Sequence, residues 1–169
     1  MPVTIILSYD LTKDLWRQFY EAHYSCDREL KLRYLWGAVC IVIGSLGFGG
    51  YNQSNTIAGL LLATGFFGVL SKHLLIYKSL RTALQHPFFG KELTVSVSPE
   101  EISVRSEDSG YSQPWDNFIG YRKLEPGFLL YHDRNAFFFI PTAGLTSGEI
   151  NRILRILAAS DVPEVKAFK

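Results

Sequence analysis

Between Tyr34 and Ser71 the chain runs for 38 consecutive residues without an Asp, Glu, Lys or Arg, although 20% of the whole 169-residue sequence is charged. A single helical crossing of a bilayer takes about 20 apolar residues, so this run supplies two crossings with a turn between them. It starts too far from Met1, and is too long, for the apolar core of a cleavable signal. The sequence predicts a helical hairpin with spans at about 34–51 and 56–75, the second helix extended to about residue 85. The alternative is a buried hairpin in a soluble core, which needs a larger soluble shell than the rest of the chain provides.

The turn region "GSLGFGGYNQSN", Gly44–Asn55, is rich in glycine and superficially echoes a phosphate loop. A phosphate loop places Lys and Ser or Thr after its last glycine, to meet phosphate and magnesium. Here Tyr51 and Asn52 follow Gly50 instead. The stretch therefore reads as a membrane turn, with Tyr51 at one interface and Tyr34 and Trp36 at the other, where amphipathic rings are favoured. Asn55 or Ser54 can cap the second helix.

Basic residues flank the hairpin on its outer ends only. Arg28, Lys31 and Arg33 precede the first span, and Lys72, Lys78 and Arg81 follow the core of the second. By the positive-inside rule both termini face the cytoplasm. Small residues at helix-packing spacing, Gly44 with Gly47, Gly59 with Ala63, and Thr64 with Gly68, allow close approach of two helix backbones. Their expected use is to join the hairpin's own helices, with a homo-oligomer contact as the alternative.

The flanks have a different character. Val3–Leu7 is apolar and β-branched, the signature of a strand. Thr12 then offers an N-cap to an amphipathic helix of about 20 residues carrying Leu15, Phe19, Ala22 and Cys26 on one face, with Trp16 and Tyr20 beside them. It suits either the membrane surface or packing on a cytoplasmic domain. Beyond Pro87 and Gly90, "ELTVSVS", "ISVR", "YSQPW", "DNFIGYRKL", "FLLYHD" and "AFFFIP" read as short strands separated by turns. Thr146–Glu149, "TSGE", is a capping box opening a helix whose stripe is Ile150, Ile153, Leu154 and Leu157.

The expected fold class is thus an α+β membrane protein: a two-helix transmembrane hairpin, then a small antiparallel β domain closed by a C-terminal helix. That order of elements is the organisation of a pleckstrin-homology-like module. The expected organisation is 1–33 N-terminal strand and helix, 34–85 hairpin, 91–160 β domain and 161–169 tail. The N-terminal strand lies on the same side of the membrane and is in a position to add to the sheet.

The layout and several short signatures resemble the bacterial YcxB-like membrane proteins. These signatures are "DLTKDLWRQFYEAHY" before the hairpin, the Trp-led strand "PWDNFIGY", the aromatic hairpin "GFLLYHDRNAFFFIP" and a final helix after "TAGLTSGEI". The resemblance implies a two-span inner-membrane protein with a cytoplasmic domain similar to pleckstrin-homology folds. It implies no reaction.

The residues themselves point away from catalysis. His23, His73, His86 and His132 form no pair at metal-site spacing, and the trio His23, Cys26 and Asp27 lacks a second half. Cys26 and Cys40 fit reduced thiols. Nucleophile elbow, Walker and dinucleotide fingerprints are absent, and apart from Lys72 and His73 at the cytoplasmic end of the second span the spans contain no charged side chain that could relay protons. The sequence therefore predicts a non-enzymatic protein with no cofactor and no metal. A net charge of +1 gives no field favouring nucleic acid.

Binding residues are sought in the β domain. Its aromatics are expected mainly in the core, but the run Phe137, Phe138 and Phe139 forces Phe138 to the opposite face from its neighbours. Phe138, Trp115, Tyr121 and Tyr131, with the basic Arg122 and Lys123, are the candidate partner-binding residues, set against a solvated rim of mixed charge. The expected function is a sensor or scaffold that contacts membrane lipid and binds a protein segment or anionic lipid. An immunity protein against an antibacterial toxin is the alternative.

Overall fold

The computed structural model describes residues 4–48, 54–134 and 136–165. It divides the chain into two compact units, Met1–Ala22 with Thr82–Lys169, and His23–Arg81. The sequence motifs that distinguish them, alternation in one and unbroken apolar run in the other, are the two periodicities that build sheets and buried or lipid-facing helices.

The second unit is built on two helices, α2 (Arg28–Phe48) and α3 (Asn55–Ala83). Both are long and apolar enough to cross a membrane. They meet through glycine. A Cβ on Gly37 would lie 2.8 Å from the Gly65 carbonyl oxygen, and one on Gly44 would lie 2.9 Å from that of Ala58. One on Gly68 would lie 2.9 Å from the Arg33 carbonyl oxygen. Without side chains at these points the backbones approach closely, as membrane helices commonly do. Gly44 and Gly68 thus lie where the two backbones meet, Gly68 half-buried, and Gly47 is buried on α2. Gly59 and Ala63 do not: nothing lies within 4 Å of a Cβ on Gly59, and Ala63 is exposed. The face of α3 that meets α2 carries Ala58 and Gly65, seven residues apart or about two turns, and Gly59 lies about 100° round the helix from Ala58.

Most of the remaining hairpin surface is bare apolar side chain. Trp36 and Phe67 are each 66% exposed and Leu60 64%, and the most apolar windows of α2 and α3 are only 22% and 17% buried. A helix in a soluble core would show the opposite. Residues 49–53, which include Tyr51 and the centre of the expected turn, lie outside the described residues.

The other unit starts with β1 (Ile5–Asp10), followed by α1 (Lys13–Ser25). The Thr12 hydroxyl accepts from the Leu15 N–H and caps α1 as expected. The expected 20-residue helix is broken, however. Cys26 and Asp27 leave the helix, and the Asp27 carboxylate accepts from the Glu29 N–H at the start of α2. The buried face of α1 is Trp16, Phe19 and His23, one step round from the expected Leu15, Phe19, Ala22 and Cys26 stripe.

Among the described residues, seven strands make two antiparallel sheets. β2 (Glu92–Val97), β3 (Glu101–Arg105) and β4 (Gly110–Pro114) join β1 in the order β1-β2-β3-β4. The N-terminal strand therefore does enter the sheet, Ile5 opposite Val97 and Tyr9 opposite Leu93. β5 (Gly120–Leu124), β6 (Gly127–Asp133) and β7 (Ala136–Pro141) form the second sheet. Ile5, Leu93, Val95, Val97, Ile102 and Val104 are buried at alternating positions, which is the period of a sheet covered on one face. β6 is instead buried at five successive positions, Gly127–Tyr131, as a strand covered on both faces must be. On α1, Phe19 stacks on Phe139 at 4.3 Å and Trp16 meets its edge at 4.8 Å. The closing helix α4 (Ser147–Ala159) starts from the predicted capping box and buries Ile153, Ile156 and Leu157.

Candidate functional site

The six residues expected to bind a partner do not form an outward patch. Trp115 is buried and its indole N–H donates to the Ser98 carbonyl at 3.0 Å, with Phe118 beside it. Tyr131 is fully buried, and the Arg122 guanidinium, itself buried, lies 5.7 Å above its ring. A small domain needs such large side chains to fill its interior, so core packing takes these aromatics. Tyr121 and Phe138 are half-buried, and Lys123 alone of the six is exposed.

Arg122 and Tyr121 have a second role. The segment after α4 returns and pairs with β5: the Tyr121 N–H donates to the Pro163 carbonyl at 2.9 Å, and the Val165 N–H donates to the Tyr121 carbonyl at 2.8 Å. The Arg122 Nε–H donates to the Val165 carbonyl at 3.0 Å. Gly120 makes room, since a Cβ there would clash with Val165 and lie 2.9 Å from the Pro163 carbonyl oxygen. The free edge of β5 is thus covered by the chain's own residues 163–165, which the sequence assigned to a tail. Burial raises the Tyr121 phenol above its ordinary pKa, and the Glu164 carboxylate adds to the shift.

Phe138 reaches a different place. Together with Tyr9, Trp16, His86, Phe88, Tyr111 and other apolar side chains it lines a cavity of about 180 Å³ inside the β unit. The Tyr9 hydroxyl donates to the Phe139 carbonyl at 3.0 Å. Burial, reinforced by the nearby Tyr111, holds the Tyr9 phenol far above its ordinary pKa, and burial also raises Tyr111. Burial pushes His86 below the usual imidazole range. The cavity is an aromatic box with phenol and imidazole at its wall. The buried Trp16 indole N–H has no hydrogen-bond partner among the described residues. No carboxylate lines the box among the described residues. The cavity suits an apolar or aromatic group rather than a cation held by charge. Sequence reading missed Tyr9, Trp16, His86 and Tyr111 as one group because four separate segments bring them together.

A second concavity of about 540 Å³ lies within the hairpin unit, where Leu30, Lys31, Tyr34 and Leu35 of α2 face Val69 and Lys72 of α3. The Lys72 ammonium donates to the Ser25 hydroxyl at 2.8 Å. Among the described residues, no three His, Cys, Asp or Glu side chains come together as a metal site would require.

Residues 97–157 match the YcxB-like protein family. The matched segment runs from the end of β2 almost to the end of α4, so it holds the aromatic hairpin and the final helix that carried the resemblance, and also "PWDNFIGY", whose Trp115–Asn117 forms a 3-10 turn ahead of β5 rather than the expected strand. The two apolar helices that precede the YcxB-like segment fit a two-span arrangement. Within that segment lie Tyr111, His132 and Phe137–Phe139 of the box, whereas Tyr9, Trp16 and His86 lie before it. No curated protein and no solved structure matches the chain.

Proposed function

We propose that this chain is a non-enzymatic, two-span protein of the bacterial inner membrane whose β unit is a pleckstrin-homology-like cytoplasmic domain that binds a protein segment. One observation carries the membrane part. The glycine contacts set α2 and α3 in a register that aligns their charge-free stretches, Tyr34–Phe48 and Asn55–Ser71, into one band. Gly44 meets Ala58 at one level, Gly37 meets Gly65 at the next, and Arg33 meets Gly68 at the charged end. The seventeen residues Asn55–Ser71 rise about 25 Å at ~1.5 Å each, close to the ~30 Å of a hydrocarbon core. Arg33 and Lys72 then emerge together at one end, as the positive-inside rule requires of the cytoplasmic side.

The pleckstrin-homology-like reading is supported by a four-stranded and a three-stranded antiparallel sheet closed by α4. The binding part is supported by the aromatic box, which is sized for a single large apolar side chain of a partner and is lined by no carboxylate, lysine or arginine among the described residues. His86 and Tyr111 are exposed members of its wall, and Phe88, His132, Phe137 and Phe138 are half-buried.

Cysteine labelling tests the topology. In a variant lacking the native Cys26 and Cys40, Ser54→Cys in the turn is expected to react with a membrane-impermeant maleimide on intact spheroplasts. Ala143→Cys in the β unit is expected to react only after the membrane is broken. Labelling of both sites, or of Ala143→Cys alone, in intact spheroplasts would reject the proposed orientation.

A further inference from the structure

The groove in the hairpin unit combines two features that meet in one class of ligand. Leu30, Leu35 and Val69 give it apolar walls, and two cationic residues, Lys31 from α2 and Lys72 from α3, line it as well. Lys72 is held by a neutral acceptor, the Ser25 hydroxyl, so its charge is not cancelled there. No carboxylate lines the groove among the described residues. Ser71, buried in the wall, donates to its own helix at the Gly68 carbonyl and makes no demand on a ligand.

We propose that this groove holds one anionic phospholipid, its phosphate between Lys31 and Lys72 and an acyl chain along Leu35 and Val69. Position favours it: Lys72 is the first charged residue after the charge-free run, and Lys31 lies three residues before Tyr34 at the other boundary. Both lysines thus stand where headgroups begin if the hairpin spans the bilayer, and the inference rests on that reading. Charge complementarity selects an anionic over a zwitterionic headgroup. The apolar walls select a lipid over free phosphate, which has nothing to place against them.

The full chain, purified in a neutral detergent, is titrated with phosphatidylglycerol and with phosphatidylcholine of identical chains, and bound lipid is read by native mass spectrometry. Retention of phosphatidylglycerol in preference to phosphatidylcholine is expected, undiminished by millimolar inorganic phosphate. A double variant Lys31→Ala/Lys72→Ala is expected to lose on the order of twentyfold of that preference, and Lys31→Arg/Lys72→Arg to keep most of it. Equal binding of both lipids, an unchanged Ala variant, or displacement by inorganic phosphate would overturn the assignment. Reconstitution into liposomes separates this from the broader reading. A chain that inserts but shows no headgroup preference refutes the lipid site alone, and one that never inserts refutes both.

Discussion

Gly37 and Gly65 lie against each other in the hairpin, so close that a Cβ on Gly65 would sit 2.7 Å from the Gly37 carbonyl oxygen and 2.6 Å from Ile41 Cγ1. Both neighbours belong to the facing helix, and one of them is backbone, so neither glycine can take a side chain without parting the two helices. Gly59 is the internal control, since it faces open space. Gly65→Leu and Gly37→Leu are each expected to destabilise the hairpin by about 1–3 kcal/mol, the usual cost of overpacking. Gly59→Leu is expected to stay within about 0.5 kcal/mol of the parent. Thermal unfolding in detergent, followed by circular dichroism, distinguishes them, and equal loss in all three variants would refute the packing.

Trp115 is a structural residue. Trp115→Ala is expected to cost about 3–5 kcal/mol, as truncation of a buried aromatic does. Trp115→Phe keeps a ring but leaves the Ser98 carbonyl without its donor, which costs about 1–3 kcal/mol. Chemical denaturation monitored in the β unit checks the order. If Trp115 were a partner-binding residue instead, Trp115→Phe would leave stability unchanged.

The capping box at α4 makes a pH-dependent contribution. The Thr146 backbone N–H donates to the Glu149 carboxylate at 2.8 Å, and that bond, followed by one from the Thr146 hydroxyl, holds Glu149 below the usual carboxylate range. A depressed folded pKa means the stabilisation is present above the unfolded value and is lost as pH falls through the folded one. Thr146→Ala is expected to cost about 1 kcal/mol near neutrality. The gap between Glu149→Gln and the parent should close on acidification below the ordinary Glu pKa of about 4.3. A gap independent of pH would contradict the hydrogen-bonded carboxylate.

His86 works in the same direction by another cause. Burial lowers its pKa, so the unfolded chain binds the proton more readily, and stability falls as pH drops through the ordinary imidazole value of about 6.5. His86→Gln should flatten the stability profile in that window. A profile identical to the parent would show that His86 is solvated in the folded state.

The elements that answer to periodicity were legible in the sequence. The charge-free run announced α2 and α3, alternation announced β2 and β3, and the Thr146–Glu149 capping box fixed the start of α4 where the structure has it. What escaped depended on pairing between distant segments. Whether a glycine packs depends on which face of α3 meets α2, so Gly37 and Gly65 were missed while Gly59 was overvalued. Arg122 reads in sequence as a basic binding candidate, yet its guanidinium donates to the Val165 carbonyl, 43 residues away. The aromatic box assembles from β1, α1, the segment after α3, and several strands, and no local pattern joins them.

The central claim, that α2 and α3 cross a bilayer, is tested most directly by fractionating cells that express the full chain and washing the membranes with alkaline carbonate. The account predicts that the chain stays in the membrane pellet through the wash and is released only by detergent. Recovery in the soluble fraction without detergent would contradict it.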